Sequence, residues 1–115
     1  MHIDSYSFGS IQIDGRDYAS DVVLLGEDVK SNWWREAGGH VYAVEDFQDL
    51  LAAVPEVVVL GTGYFGRVKV LEETLTALAE AGSEIVVERT GGAVECFNRF
   101  AEEGRDVAAA LHLTC

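Results

Sequence analysis

Val57-Val58-Val59-Leu60-Gly61-Thr62-Gly63 is the stretch whose reading decides the fold. Four branched apolar residues in a row suit a strand covered on both faces, and the glycine turn ends it. Downstream the period changes. Leu71, Leu75, Leu78 and Ala79 fall on one helical face, with Glu72, Glu73 and Glu80 elsewhere on the cylinder, and Gly82 is placed to close that helix. Ile85-Val86-Val87 is a second short strand. Ala93, Val94, Phe97, Phe100 and Ala101 form the next helical face, closed by Gly104. Val107 to Leu113 is a third strand candidate, although Ala108-Ala109-Ala110 is equally compatible with helix. Strand, helix, strand, helix, strand predicts a parallel or mixed sheet with right-handed crossovers.

Upstream, residues 3–13 read as short strands around Gly9, with Ile3, Ile11 and Ile13 as the apolar positions. Gly15-Arg16 makes a turn, and Val22-Val23-Leu24-Leu25 is a buried strand ended by Gly26-Glu27-Asp28. This opening third predicts a β-hairpin or meander. Residues 27–40 are polar and irregular, a loop with room for one short strand. Phe47, Leu50, Leu51 and Val54 share one face of a short helix, which Pro55 stops. No linker, repeat or low-complexity tract interrupts the chain, so residues 1–115 are expected to form a single α/β domain.

Twenty acidic residues face eight basic ones, giving a net charge of −12, and Lys30 and Lys69 are the only lysines. Such a surface repels nucleic acid and anionic membranes. Acidity combined with few lysines and an ordinary core points to halophilic adaptation, since concentrated salt screens the self-repulsion. There is no run of 18 apolar residues and no basic-then-apolar leader, so no membrane span or secretory signal is expected and a cytoplasmic protein is the default. Cys96 and Cys115 lack metal-ligand spacing and are expected to be free thiols. No metal cluster, cofactor or catalytic constellation stands out.

If the last strand is parallel, the carboxyl ends of three strands share one sheet edge, the usual place for ligands of open α/β sheets. That edge would carry Gly61, Thr62, Gly63, Thr90 and His112. Thr90 reads as a helix N-cap, its hydroxyl accepting from the next amides, at a helix start that attracts anions. Gly61-Thr62-Gly63-Tyr64-Phe65-Gly66 fits G-x-G-x-x-G, and Glu88 stands 22 residues past Gly66, where a ribose-binding acid would lie. Against a dinucleotide, the helical face begins late and about half the chain precedes the motif. Asn98 either pins the sheet edge or faces a ligand. Trp33, Trp34, Arg35 and His40, in the long loop, are candidates for a partner contact, because tryptophan and arginine are frequent hot-spot residues; equally, one tryptophan covers the core edge. His40 and His112 could act as general bases near neutrality, or be a surface and a hydrogen-bonded histidine respectively.

Phe8-Gly9-Ser10-Ile11, Gly15-Arg16-Asp17-Tyr18, Asp21-Val22, Trp34-Arg35, His40, Leu60-Gly61-Thr62-Gly63, Thr90 with Ala93 and Asn98, and the closing Ala110-Leu111-His112-Leu113-Thr114-Cys115 come in an order that resembles one family. It is the family of small α/β domains that includes mitochondrial complex I assembly factor 3 and the adipogenesis-associated Mth domain-containing protein. The resemblance runs over nearly the whole chain. It implies a three-layer α/β domain with a central mixed, largely parallel sheet, and action through a protein partner rather than a known chemistry. The sequence therefore carries two readings. One is a non-catalytic binding or assembly module using the Trp33–His40 loop. The other is a small-molecule or anion-binding domain, or an enzyme, using the Gly61-Thr62-Gly63/Thr90 crevice with Asn98 and His112. Oligomeric state is open, a homo-oligomer included.

Overall fold

The computed structural model describes residues 1–36 and 38–115. The chain opens with an antiparallel meander of β1 (Ile3–Ser7), β2 (Ser10–Ile13) and β3 (Arg16–Tyr18). β4 (Val22–Leu25) and β5 (Asp28–Lys30) form a ribbon, so the polar stretch after Gly26 does contain one short strand. β6 (Val41–Tyr42) is followed by a 3-10 turn (Val44–Phe47) and α1 (Gln48–Ala53). Then come β7 (Val57–Gly61), β8 (Lys69–Val70), α2 (Glu72–Ala81), β9 (Glu84–Glu88), α3 (Thr90–Glu102) and β10 (Val107–Leu111).

The central sheet has five strands in the order β5-β4-β10-β7-β9. It is parallel across β10, β7 and β9 and antiparallel across β4 and β5, with β6 and β8 paired separately. Alternate residues of the central strands feed two cores. Val22, Leu24, Val57, Val59, Val107, Ala109 and Leu111 pack with Ala93, Phe97 and Phe100 of α3 and the isoleucines of the meander. Val23, Val58, Leu60, Ala108 and Ala110 pack on the other face with Trp33, Tyr42, Phe47, Leu50 and Leu78. A strand covered on both sides has no polar face, which is why these runs are continuously apolar. The chain moves outward from β7 to β9, then back past β7 to β10. One handedness of crossover therefore puts α2 and α3 on opposite faces, completing three layers.

The alanines of β10 are strand, not helix. They are fully buried between the aromatic residues of the two covering layers, where small side chains make room for large ones. Two positions depart from the helical faces read in the sequence. Val54 is 42 % exposed, not core: it ends α1 with φ +47°, and Pro55 after it disfavours continued right-handed helix. On α2, Thr74 takes the buried place expected of Ala79, and its hydroxyl donates to the Tyr42 carbonyl at 2.8 Å. Among the described residues no helix is long and apolar enough to cross a membrane, and no group of three or more His, Cys, Asp or Glu side chains could hold a metal ion.

Candidate functional site

β7 and β9 are neighbours whose following segments leave toward opposite faces, so a crevice between their carboxyl ends is expected. The chain fills it with its own groups. The Thr62 amide and hydroxyl both donate to the Glu88 carbonyl, at 2.9 and 3.1 Å. The Gly63 amide donates to Thr90 Oγ1 at 2.8 Å, and that hydroxyl donates to the His112 carbonyl at 2.6 Å. The residues after β10 then fold back over the turn. The amides of Tyr64 and Arg67 donate to the carbonyls of Thr114 and Cys115, at 2.7 and 3.2 Å.

These bonds correct the N-cap reading of Thr90. Arg89 occupies the cap position of α3 and makes no side-chain cap bond, while Thr90 is the first helical residue and fully buried. Its hydroxyl serves Gly63 and His112 rather than the amides of its own helix. The glycines also have an internal reason. A Cβ on Gly61 would lie 2.8 Å from Leu111 Cδ2 and 3.0 Å from Thr90 Oγ1. One on Gly63, where φ is +108°, would lie 2.7 Å from the Cys115 carbonyl oxygen and 2.9 Å from His112 Cδ2. The backbone approach that G-x-G-x-x-G reserves for a pyrophosphate is taken here by residues 111–115. α2 starts at Glu72, six residues beyond the motif, so its N-terminus is not part of the turn. The helix start that does meet it is that of α3, where the Thr90 amide donates to the Gly63 carbonyl at 3.1 Å. Glu88 is exposed and ends β9.

Behind the turn lies a buried polar cluster. Asp21 Oδ2 receives Arg35 Nη2 at 2.9 Å and His112 Nδ1 at 2.7 Å, and Asp21 Oδ1 accepts the Leu113 amide at 2.9 Å. The ionised Asp21 carboxylate can only accept, so the proton of neutral His112 belongs on Nδ1; Arg35 Nη2, 3.3 Å from that nitrogen, can only donate and makes no hydrogen bond to it. Nε2 is then the acceptor for the Thr114 hydroxyl at 3.3 Å. Burial alone would raise the Asp21 carboxyl. The hydrogen bonds from His112, the Leu113 amide and Arg35, with the attraction of His112 when it is protonated, outweigh it and hold the group below the usual carboxylate range.

The Arg35 guanidinium lies 4.7 Å from the Trp33 ring centroid and 5.2 Å from that of Tyr42, and it donates to the Gly39 carbonyl. The Tyr42 hydroxyl donates to the Gly61 carbonyl at 2.6 Å, and burial pushes that phenol well above its ordinary value. An Asp–His pair of this geometry orients an imidazole as it would for general-base work. Here the second nitrogen is turned to Thr114, and the ring is 6 % exposed beneath His40, 5.5 Å away edge to face.

Of the residues singled out in the sequence, Gly61, Thr62, Gly63, Thr90 and His112 do come together, with Arg35 and His40 joining them. Asn98 stands apart: its side chain accepts the Ile3 amide at 2.9 Å and donates to the Ile3 carbonyl at 2.8 Å, tying α3 to β1. Trp33 and Arg35 are core residues, at 7 % and 5 % exposure, whereas Trp34 is 80 % exposed. Sequence reading did not select Asp21 or Tyr42 as site residues. An acid directly before an apolar strand was the available signal for Asp21, but its partner lies 91 residues away.

Fold and site together define a three-layer α/β domain whose strand-end crevice is closed by its own C-terminal segment. Residues 3–112 match the family described as "Protein of unknown function (DUF498/DUF598)", and the chain belongs to that family. It is 33 % identical over 115 residues to human NADH dehydrogenase [ubiquinone] 1 alpha subcomplex assembly factor 3, a match covering 96 % of this chain and 60 % of the relative. The chain thus spans about three fifths of that relative's length. An outer membrane protein from Bartonella henselae has a TM-score of 0.82 at 26 % identity, over 98 % of this chain and 94 % of that one. A conserved hypothetical protein from Pyrococcus horikoshii OT3 has a TM-score of 0.83 at 22 % identity over the full length of both chains, a likeness of fold.

Proposed function

We propose that this domain is a non-catalytic module that acts in the cytoplasm through a protein partner, in an assembly role of the kind named for its human relative, an assembly factor. The observation that carries the reading is the closed edge. Thr90 and Gly63 spend their polar groups on each other and on residues 112–115, so a ligand at Gly61-Thr62-Gly63 would have to displace the chain itself. Meanwhile the loop holds out Trp34, 80 % exposed, between the buried anchors Trp33 and Arg35. A tryptophan held outward by a fixed backbone loses little entropy on binding, which favours a contact hot spot. His40 lies on the same loop and is exposed.

Affinity purification from lysate at matched salt tests the reading. A reproducible partner is expected with the native chain and is expected to be lost with Trp34→Ala, while circular dichroism of the variant is unchanged. Recovery of no reproducible partner under those conditions overturns the assembly role.

A further inference from the structure

The β7–β8 connection builds a second surface that the closed crevice does not use. Residues 57–71 contain no Asp or Glu, in a chain where acids outnumber bases 20 to 8. Tyr64 and Phe65, at the tip of that connection, are 44 % and 56 % exposed, and Phe8, in the β1–β2 turn, is 51 % exposed. Their rings touch: 5.0 Å between Tyr64 and Phe65, 5.7 Å between Phe8 and Tyr64, 6.2 Å between Phe8 and Phe65. Both turns are fastened to the C-terminal segment, through the Gly9 amide on the Leu113 carbonyl at 2.9 Å and the Tyr64 amide on the Thr114 carbonyl at 2.7 Å. The patch is therefore preorganised, and such clusters of exposed aromatics mark contact surfaces.

Two cations border it. The exposed Arg89 side chain donates twice to the Tyr64 carbonyl, at 3.1 and 2.7 Å, and would crowd a Cβ on Gly66 at 3.1 Å. Arg67 follows Gly66 and is exposed. Neither arginine joins a salt bridge among the described residues. A cavity of about 490 Å³ opens between Tyr6, Tyr64, Arg89 and the start of α3, with Glu88 on its rim.

We propose that Phe8, Tyr64 and Phe65, flanked by Arg67 and Arg89, dock an acidic, apolar segment of a protein partner. An aromatic or branched aliphatic side chain enters beside Tyr64, and carboxylates of the segment meet the two arginines. Charge complementarity selects this occupant: the arginines make no salt bridge among the described residues, on a molecule otherwise rich in carboxylates. A two-fold pairing of the patch with a second copy would instead gather the arginines of both copies into one interface. The overall repulsion between a chain of charge −12 and an acidic segment is screened beyond about 10 Å at 0.1 M salt, whereas the contact pairs are not.

The proposal rests on the reading that the chain works through a protein partner, and its test separates the two. The photo-crosslinking residue p-benzoylphenylalanine is placed at position 65, and in a second preparation at position 34, in the full chain within its own lysate. The captured peptides are then identified by mass spectrometry. Position 65 is expected to capture a segment combining Asp or Glu with apolar residues. A synthetic peptide of that sequence should bind the native chain and lose about tenfold in affinity with Phe65→Ala or Arg67→Glu. An acid-to-lysine change in the peptide should restore binding to Arg67→Glu. Capture at position 34 but not at 65 overturns this surface and leaves the partner reading standing. Capture of a second copy at 65, or of a segment without acids, also overturns it. Capture at neither position overturns both.

Discussion

Asp21 is the residue on which most of the buried charge depends. One carboxylate receives a guanidinium, an imidazole N–H and a backbone amide, at 2.9, 2.7 and 2.9 Å. Removing it leaves Arg35 as a buried cation without its counter-charge, and breaking such a pair typically costs about 3 kcal/mol. Asp21→Asn is therefore expected to lower the urea unfolding free energy by about that amount at pH 7. Because its folded pKa is depressed, Asp21 stabilises the fold above the unfolded carboxylate value of about 4, and this contribution is lost as pH falls through the lower folded value. Urea midpoints measured from pH 6 down to pH 2 should show a steeper acid loss in the native chain than in Asp21→Asn; parallel curves would refute the assignment. Thr90→Val keeps the shape but strands the Gly63 amide and the His112 carbonyl, and should cost about 2 kcal/mol in the same assay.

At the scale of elements, the meeting of β7, α3 and the segment after β10 depends on two missing side chains. Gly63→Ala places a methyl 2.7 Å from a backbone oxygen and forces φ +108° on an L-residue, so a loss of about 3 kcal/mol or failure to fold is expected. Gly61→Ala meets Leu111 Cδ2 and Thr90 Oγ1, side-chain atoms that can shift in part, and should cost less in a urea unfolding comparison of the two variants. Asn98→Ala removes both bonds to Ile3, and faster amide exchange confined to β1 and β2 would report it. β7, α2, β9 and α3 were legible because their periods change cleanly, whereas the alanines left β10 open to a helical reading and the two-residue β8 is too short to show a period. The glycine turn at 61–63 was legible too. What approaches those glycines was not, since an absent Cβ looks the same whether it admits a ligand or the chain's own carbonyls. The cluster of Asp21, Arg35 and His112 was equally hidden, because the three lie on separate elements and only tertiary structure brings them together.

Over the whole molecule, 20 acids and 8 bases are confined to a body with a radius of gyration of 12.5 Å. Much of the charge thus lies within a Debye length or two of other charge at low ionic strength. Raising KCl from 0.1 M into the molar range is expected to raise the melting temperature, and a melt insensitive to salt would rule out halophilic adaptation. The arrangement of the central sheet also bears on how the chain comes to be folded. β10 lies between β4 and β7, which pair with it and not with each other. During synthesis the β4–β5 ribbon and the β7–β9 pair leave the ribosome as two unjoined pieces, each with one strand edge waiting. The sheet closes only after residues 107–111 emerge, so strands made early wait for one made some fifty residues after β7.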